Sequence, residues 1–265
     1  MPLAFLIAAM SFVIAFSNGA PLSARPLPGY HFAAKVPHAH SKSKEQVRAG
    51  KWSQRFEVRA GDCGSDHGWS DCQTDRERSE ITLNKRWTYG TDQWIGFSVF
   101  LPNDFKSSNK VRTTVGQIHQ KGGPSGQAGG FKSNPPVVQL EMKGNQYFAR
   151  VHILSGGAKN VKGSDKRFEL ASIAAMRGRW TDVVLHFDTK GGNEVLEVYI
   201  NGQRKAYISD WLRFHPKNYS FKYGIYRSFV SRHNGPMPTQ VLFFDEVKMG
   251  NKPSKVQVNT KRPVD

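Results

Sequence analysis

From Trp52 onward, apolar and polar side chains alternate in short runs separated by Gly, Asn, Asp and Pro, the two-residue period of half-buried β-strands. The runs are RFEVRA (55–60), SEITL (79–83), WIGFSVFLP (94–102), TTVGQIHQ (113–120) and PVVQLEMKG (136–144). They continue with QYFARVHIL (146–154), WTDVVLHFD (180–188), EVLEVYING (194–202), YGIYRS (223–228) and VLFFDEVKMG (241–250). Asn201 and Gly202 mark a tight hairpin turn. Only FELASIAAMRGR (168–179) has spacing that predicts a helix. An array of strands without βαβ alternation predicts an all-β protein, a two-sheet antiparallel jelly-roll sandwich. One sheet of such a sandwich is concave, and its outward residues form a groove able to hold an extended polymer.

The ends of the chain read differently. Residues 1–20, MPLAFLIAAMSFVIAFSNGA, hold an uncharged apolar run followed by Ser17, Gly19 and Ala20. The run is roughly 15 residues long, short for a bilayer span, and predicts a cleaved signal peptide even without a basic residue before it. Residues 21–50 contain Pro, many basic residues and little periodicity, which predicts a flexible linker or pro-segment. One domain is expected over 51–252, with 253–265 as a C-terminal tail.

Export agrees with the cysteines. Cys63 and Cys72 are the only two, in the polar stretch GDCGSDHGWSDC, and a disulfide closing that loop is expected in an oxidising compartment. A zinc site would need more ligands than His67, which lies between them, so no metal site is expected. Thirty-eight Lys and Arg against twenty-one Asp and Glu give a formal charge of +17. A secreted protein this basic points to an anionic partner. Nucleic acid is not expected, because no run alternates basic and aromatic residues as a single-strand groove does.

Chemistry should lie on polar residues at every second strand position. In TDRERSEIT (74–82), Arg76, Arg78, Glu80 and Thr82 share one face, so that Glu80 fixes guanidinium groups able to bind an anion. VGQIHQ places Gln117 beside His119. PVVQLEM adds Gln139 and Glu141, and YFARVHIL adds Arg150 and His152. FKYGIYRS places Lys222, Gly224 and Tyr226 on one face, and Gly224 lets another chain approach closely. The Gly- and Pro-rich segment KGGPSGQAGGFKSNPP (121–136) is expected to act as a lid over the groove.

The three segments RSE, QIH and KYGIY resemble, in order and type, the signature regions of jelly-roll polysaccharide lyases. Alginate lyases of this fold carry an Arg-Ser/Thr-Glu-Leu-Arg strand, a Gln-Ile/Val-His strand and a Tyr-Phe-Lys-Ala-Gly-Ile/Val-Tyr-Asn-Gln strand. The form KYGIYRS, with GRWTDVVLHF and the late FFDEVKMG, looks closer to the heparin lyase I and glucuronan lyase relatives. The resemblance covers roughly residues 52–250 and implies a concanavalin A-like sandwich. It places Arg78 and Glu80 in the first motif, Gln117 and His119 in the second, and Lys222, Gly224 and Tyr226 in the third. Two positions depart: Thr82 stands where alginate lyases have Arg, with Arg76 on the same face, and Arg227 stands where they have Asn.

The resemblance implies β-elimination at a uronate, giving unsaturated uronate ends on a polymer such as glucuronan, heparin or heparan-like chains, or alginate. Gln117 and Arg78, with His119, would neutralise the carboxylate, and Lys222, Arg76, Glu80, Gln139 and Arg150 would complete the binding surface. Tyr226 serves as acid and, beside cations such as Lys222, as base; His119 is the base when the epimer puts the proton on the opposite side. No cofactor is expected, with room left for a structural calcium. The expected protein is monomeric, extracellular or periplasmic, and free of the membrane after signal cleavage. A lectin-like binding module is the alternative, and a glycoside hydrolase a weaker one, since no strand carries closely alternating acidic residues.

Overall fold

The computed structural model describes residues 27–66, 68–128, 131–157 and 160–258. The expected signal peptide, His67 and residues 259–265 lie outside them. In chain order the strands are β1 (Gly29–Ala33), β2 (His40–Ser43), β3 (Ser53–Val58), β4 (Ser65–Asp66), β5 (Trp69–Ser70) and β6 (Arg76–Trp87). Next come β7 (Asp92–Phe100), β8 (Arg112–Lys121), β9 (Gly126–Ala128), β10 (Phe131–Ser133), β11 (Pro136–Lys143) and β12 (Gln146–Gly157). The last are β13 (Asn160–Ser172), β14 (Trp180–Asp188), β15 (Val195–Ile200), β16 (Gln203–Ile208), β17 (Asn218–Ser228) and β18 (Gln240–Gly250).

Two seven-stranded sheets account for most of these. One has the order β1-β6-β17-β8-β11-β12-β13 and the other β16-β15-β14-β7-β18-β3-β2. Every neighbouring pair within them is antiparallel. The sandwich follows from the alternation in the sequence, because the apolar half of each strand must be covered. Phe56 of β3 meets Tyr223 of β17 with ring centroids 5.7 Å apart, and Phe97 of β7 meets Phe221 of β17 at 5.8 Å. All four side chains are buried between the sheets. Among the described residues no helix is long and apolar enough to cross a membrane.

Three segments differ from expectation. The described part of the 21–50 segment is not a free linker but an edge element of both sheets. Residues 29–33 pair with β6 from Gly29 opposite Leu83 to Ala33 opposite Ser79, and residues 40–43 pair with β3. Further on, the amides of Arg48 and Ala49 donate to the Asp245 carboxylate at 2.9 and 3.0 Å, and the Arg48 guanidinium grips Asp182. Such anchoring is made by backbone ladders and buried carboxylates, which leave no hydrophobic period to read. The expected helix at 168–179 is cut short: β13 runs to Ser172, and only Ile173–Met176 is helical, capped by the Ser172 side chain. The lower half of this run pairs with β12, with Phe168 opposite Ala149, and that ladder overrides the local spacing. In the tail, Val256 is buried, with its backbone against Gly96.

The edge segment also carries a pH-sensitive contact. His31 and His40, from the two different sheets, lie with ring centroids 5.0 Å apart near Phe56. Burial, and then the neighbouring His40 ring, hold the His31 imidazole down to about 4. Burial lowers His40 as well, against the hydrogen bond that its Nε2 donates to the Gln54 side-chain oxygen. As pH falls from 6.5 towards about 4, the unfolded chain takes up protons that the folded chain refuses. Stability should therefore fall across this window, with His31 contributing roughly 1–2 kcal/mol after allowance for solvent screening. Urea unfolding on both sides of the window measures this, and His31→Gln should flatten the acid-side loss.

Gly224 supplies a second prediction. Its φ of +132° suits glycine alone, and a Cβ there would sit 2.4 Å from the Ser79 carbonyl oxygen and 2.9 Å from the Glu80 Cα. The chain that approaches closely is thus the neighbouring strand β6. Gly224→Ala should cost roughly 2–4 kcal/mol, which lowers the melting temperature by about 5–15 °C in a domain of this size. An unchanged thermal midpoint would show that β6 can retreat.

Candidate functional site

The outer face of the β1-to-β13 sheet holds a cleft of about 510 Å³. All nine residues expected to bind substrate or carry catalysis line it: Arg76, Arg78 and Glu80 from β6, Gln117 and His119 from β8, Gln139 from β11, Arg150 from β12, and Lys222 and Tyr226 from β17. They meet because alternation puts each set on one face while the antiparallel register lines the sets up. Thr82, Lys222, Gln117, Gln139 and Arg150 stand opposite one another in turn across β6, β17, β8, β11 and β12. Tyr226 stands opposite Arg78 two rows away, with Gly224 opposite Glu80 in the row between. Between them, at Gly224, the pairing of β17 with β8 is irregular, as the bulge at a positive-φ glycine requires.

The lining carries five cations, Arg76, Arg78, Arg112, Arg150 and Lys222, against the single carboxylate Glu80. Glu80 is only 2 % exposed. It accepts a hydrogen bond from the Gln117 side-chain amide at 2.5 Å and lies 3.6 Å from Arg78 Nη1. That contact fixes which way the Gln117 amide turns and leaves its second N–H for a bound group. Lys222 makes no ion pair or hydrogen bond among the described residues. Its ammonium is lowered from its ordinary value by burial, offset by Glu80.

Two groups can move protons. The His119 Nδ1 lies 3.1 Å from the Gln120 carbonyl oxygen, so the ring donates there and Nε2 is left as the basic nitrogen. Burial, then the Lys222 charge, push the imidazole well below 6.5 and keep it neutral. On Tyr226, the hydroxyl oxygen accepts from Arg76 Nε at 3.0 Å, which directs its own hydrogen elsewhere. The Arg78 guanidinium lies 4.3 Å from the Tyr226 ring centroid. The cations nearest the tyrosine are thus Arg76 and Arg78, with Lys222 two rows away, beyond Gly224 and Glu80.

At the other end of the row Arg150 donates to Gln139 at 2.5 Å and to Glu141 at 2.9 Å, and pairs with Asp165 at 3.2 Å. His152 bonds Gln139 and Asp165. Glu141, fully buried, also lies 3.3 Å from Arg112. Burial raises the Glu141 carboxyl while Arg150 and Arg112 draw it down. Gln139 and Arg150 therefore face the cleft already engaged with each other, as parts of a fixed wall.

Several residues of the site are not evident from strand alternation. Tyr30 and Phe32 line the cleft from β1, inside the segment read as a linker. Arg112 enters from the first residue of β8 and Phe229 from just beyond β17. The Cys63–Cys72 disulfide is formed, and its loop contributes Trp69 to the cleft and Asp71 beneath it. The acid next to Cys72 in WSDC was the one available signal for Asp71. Within the expected lid, β9 and β10 pair as a short hairpin, and Ser133, Asn134, Pro135 and Pro136 line one side of the cleft. The Gln120 side chain ties the start of this segment to Gly123 and Pro124. Among the described residues no three His, Cys, Asp or Glu are grouped to hold a metal ion.

A family model described as polysaccharide lyase matches residues 27–248. Among solved structures, the chain is similar to an endo-beta-1,4-glucuronan lyase from the fungus Trichoderma reesei, with TM-score 0.62 and 17% identity over 91% of this chain and 94% of that one. It is also similar to alginate lyase A1-II', of polysaccharide lyase family 7, with TM-score 0.54 and 17% identity over 83% and 94%. No curated protein matches the sequence. At such identities the solved neighbours speak for the fold. The family match speaks for more, since it begins before β1, ends within β18 and takes in all three motif strands. The chain belongs to the polysaccharide lyase family.

Proposed function

We propose that this polysaccharide lyase is exported, acts as a monomer, and cleaves an anionic uronate polymer by β-elimination in the cleft of the β1-to-β13 sheet. The observation that carries the reading is the meeting of neutral His119, the Tyr226 hydroxyl, the Gln117 amide and the unpaired Lys222 in one basic pocket. The disulfide supports an oxidising compartment.

Elimination begins by removing the proton on the carbon bearing the uronate carboxylate. That proton is weakly acidic while the carboxylate keeps its full charge. The free Gln117 N–H, Lys222 and the open edge of Arg78 would hold the carboxylate and stabilise the charge that builds on it. His119 Nε2, or the Tyr226 oxygen in its phenolate form, takes the proton and becomes N–H or O–H. The electron pair forms the new carbon–carbon double bond, the bond to the glycosidic oxygen breaks, and the Tyr226 hydroxyl protonates the departing oxygen. Where proton and leaving oxygen lie on the same ring face, Tyr226 can do both steps; where they lie opposite, His119 is the base. Polyglucuronate is the first substrate to try, because the glucuronan lyase neighbour is named for it and the basic cleft suits a charge on every residue.

Incubation with polyglucuronate, heparin, heparan sulfate, alginate, hyaluronan and pectate, followed by ultraviolet absorbance of unsaturated ends, tests the reaction. Absorbance rising with chain shortening is expected. Shortening without absorbance would replace elimination by hydrolysis, and binding without shortening would make the protein a lectin. His119→Ala and Tyr226→Phe should each lower kcat by at least about 10²–10⁴-fold with the fold intact. The pH profile is a separate check, because His119 is held well below 6.5 and stays unprotonated as pH falls past that value. The acid limb of kcat/KM should therefore lie below 6.5, and a midpoint at the ordinary histidine value would show that the ring is not desolvated as its burial requires.

A further inference from the structure

The loop closed by Cys63 and Cys72 is more than a brace on the rim of the sandwich. Its residue Asp71 is fully buried and reaches directly under the cleft. Arg78 Nε lies 2.8 Å from Asp71 Oδ2 and 3.0 Å from Oδ1, and Arg78 Nη2 lies 2.6 Å from Oδ1. One planar edge of the guanidinium is thus taken up by a two-point ionic grip. The loop in turn holds the carboxylate: the Gly64 amide donates to Oδ2 at 3.2 Å and the Trp69 indole to Oδ1 at 3.3 Å. Backbone bonds tie Asp71 to both sides, from its own amide to Gly64 and from the Arg76 amide to its carbonyl. Cys72 follows Asp71 directly, and Cys63 precedes Gly64, so the disulfide closes the ring of contacts on which Asp71 depends.

The grip decides where Arg78 can stand. Its guanidinium packs against the rings of Phe32, at 4.9 Å, and Tyr226, at 4.3 Å, and its Nη1 is left towards Glu80 and the cleft. We propose that Asp71, held by the Cys63–Cys72 loop, is a positioning residue for the reaction: it fixes Arg78 against the Tyr226 ring and turns its one open edge towards the substrate carboxylate. This rests on the lyase reading of the cleft. Without the anchor, Arg78 keeps only Glu80, and it can swing off the tyrosine to neutralise that carboxylate, which also frees the Gln117 amide.

A double-mutant cycle with a spectroscopic arm tests it. On a polymer that the wild type cleaves, Asp71→Asn and the Cys63→Ser/Cys72→Ser pair should each lower kcat by roughly tenfold to a hundredfold, the scale of a small misplacement in an active site, with a lesser change in KM. Rates are corrected for the folded fraction measured by circular dichroism. In an Arg78→Gln background, Asp71→Asn should add little, because it acts through Arg78. An equal loss in both backgrounds, or a loss that vanishes once folded fraction is corrected, would overturn the proposal. The Arg78 Nε–H resonance, assigned by its absence in Arg78→Gln, should exchange slowly in the wild type and broaden or vanish in Asp71→Asn and in the cysteine pair. Its persistence in both would equally overturn it. Should the wild type cleave none of the polymers, the lyase reading fails, and the resonance still decides whether the loop anchors Arg78. If Asp71→Asn does not fold, the cysteine pair carries both measurements.

Discussion

Five cations share one partly desolvated cleft, and the buried carboxylates beneath them are what make that arrangement tolerable. Like charges repel more strongly as water is withdrawn. Asp71, Glu80 and Glu141 are all almost fully buried, and each lies against at least one guanidinium: Asp71 and Glu80 against Arg78, Glu141 against Arg112 and Arg150. The pairing is uneven in a useful way. Arg78 and Arg150 are locked by it, Gln117 is oriented by it, and Lys222 is left over. A site built like this keeps a net positive field for an acidic polymer while allowing only a few of its groups to move. Removing Glu141 would leave Arg112 without an ion pair among the described residues, and removing Asp71 would leave Arg78 with Glu80 alone, so the stability of this sheet and the shape of the cleft rest on the same contacts.

Much of this was legible in the sequence, for a definable reason. Along β6 every second residue from Arg76 to Arg86 is polar, and the even spacings of Gln117 with His119 and of Lys222 with Tyr226 likewise sort these residues onto faces. The sandwich follows from the same period, and the likeness of the motifs to those of jelly-roll lyases supplies the order in which the strands meet. What alternation does not carry is the choice of neighbour. Nothing in Pro-containing, basic residues 27–50 reveals that β1 will lie along β6 and bring Tyr30 and Phe32 to the cleft. Arg112 and Arg150 are ordinary strand residues until Glu141 is seen lying against both. The helix expected at 168–179 shrank to Ile173–Met176 for the same kind of reason, since a long ladder with β12 outweighed the local spacing up to Ser172.

Gly224 shows how sequence and site are joined by a constraint on the backbone. It bears no side chain into the cleft, yet its conformation lets β6 and β17 come close enough for Lys222, Glu80 and Tyr226 to share one small volume. The third motif is thus partly chemical and partly steric: Lys222 and Tyr226 face the cleft, while the glycine between them sets the distance to the first motif.

The row that crosses the sheet from Thr82 through Lys222, Gln117 and Gln139 to Arg150 has a further meaning for an extended polymer. Its members come from five different strands, so their spacing is set by the hydrogen-bond ladder, about 4.8 Å per strand, and not by side-chain choice. The sheet is in this respect a ruler with fixed graduations. Substitutions can change what stands at each mark, and so which sugar is accepted there, but the interval between marks belongs to the backbone and is beyond their reach.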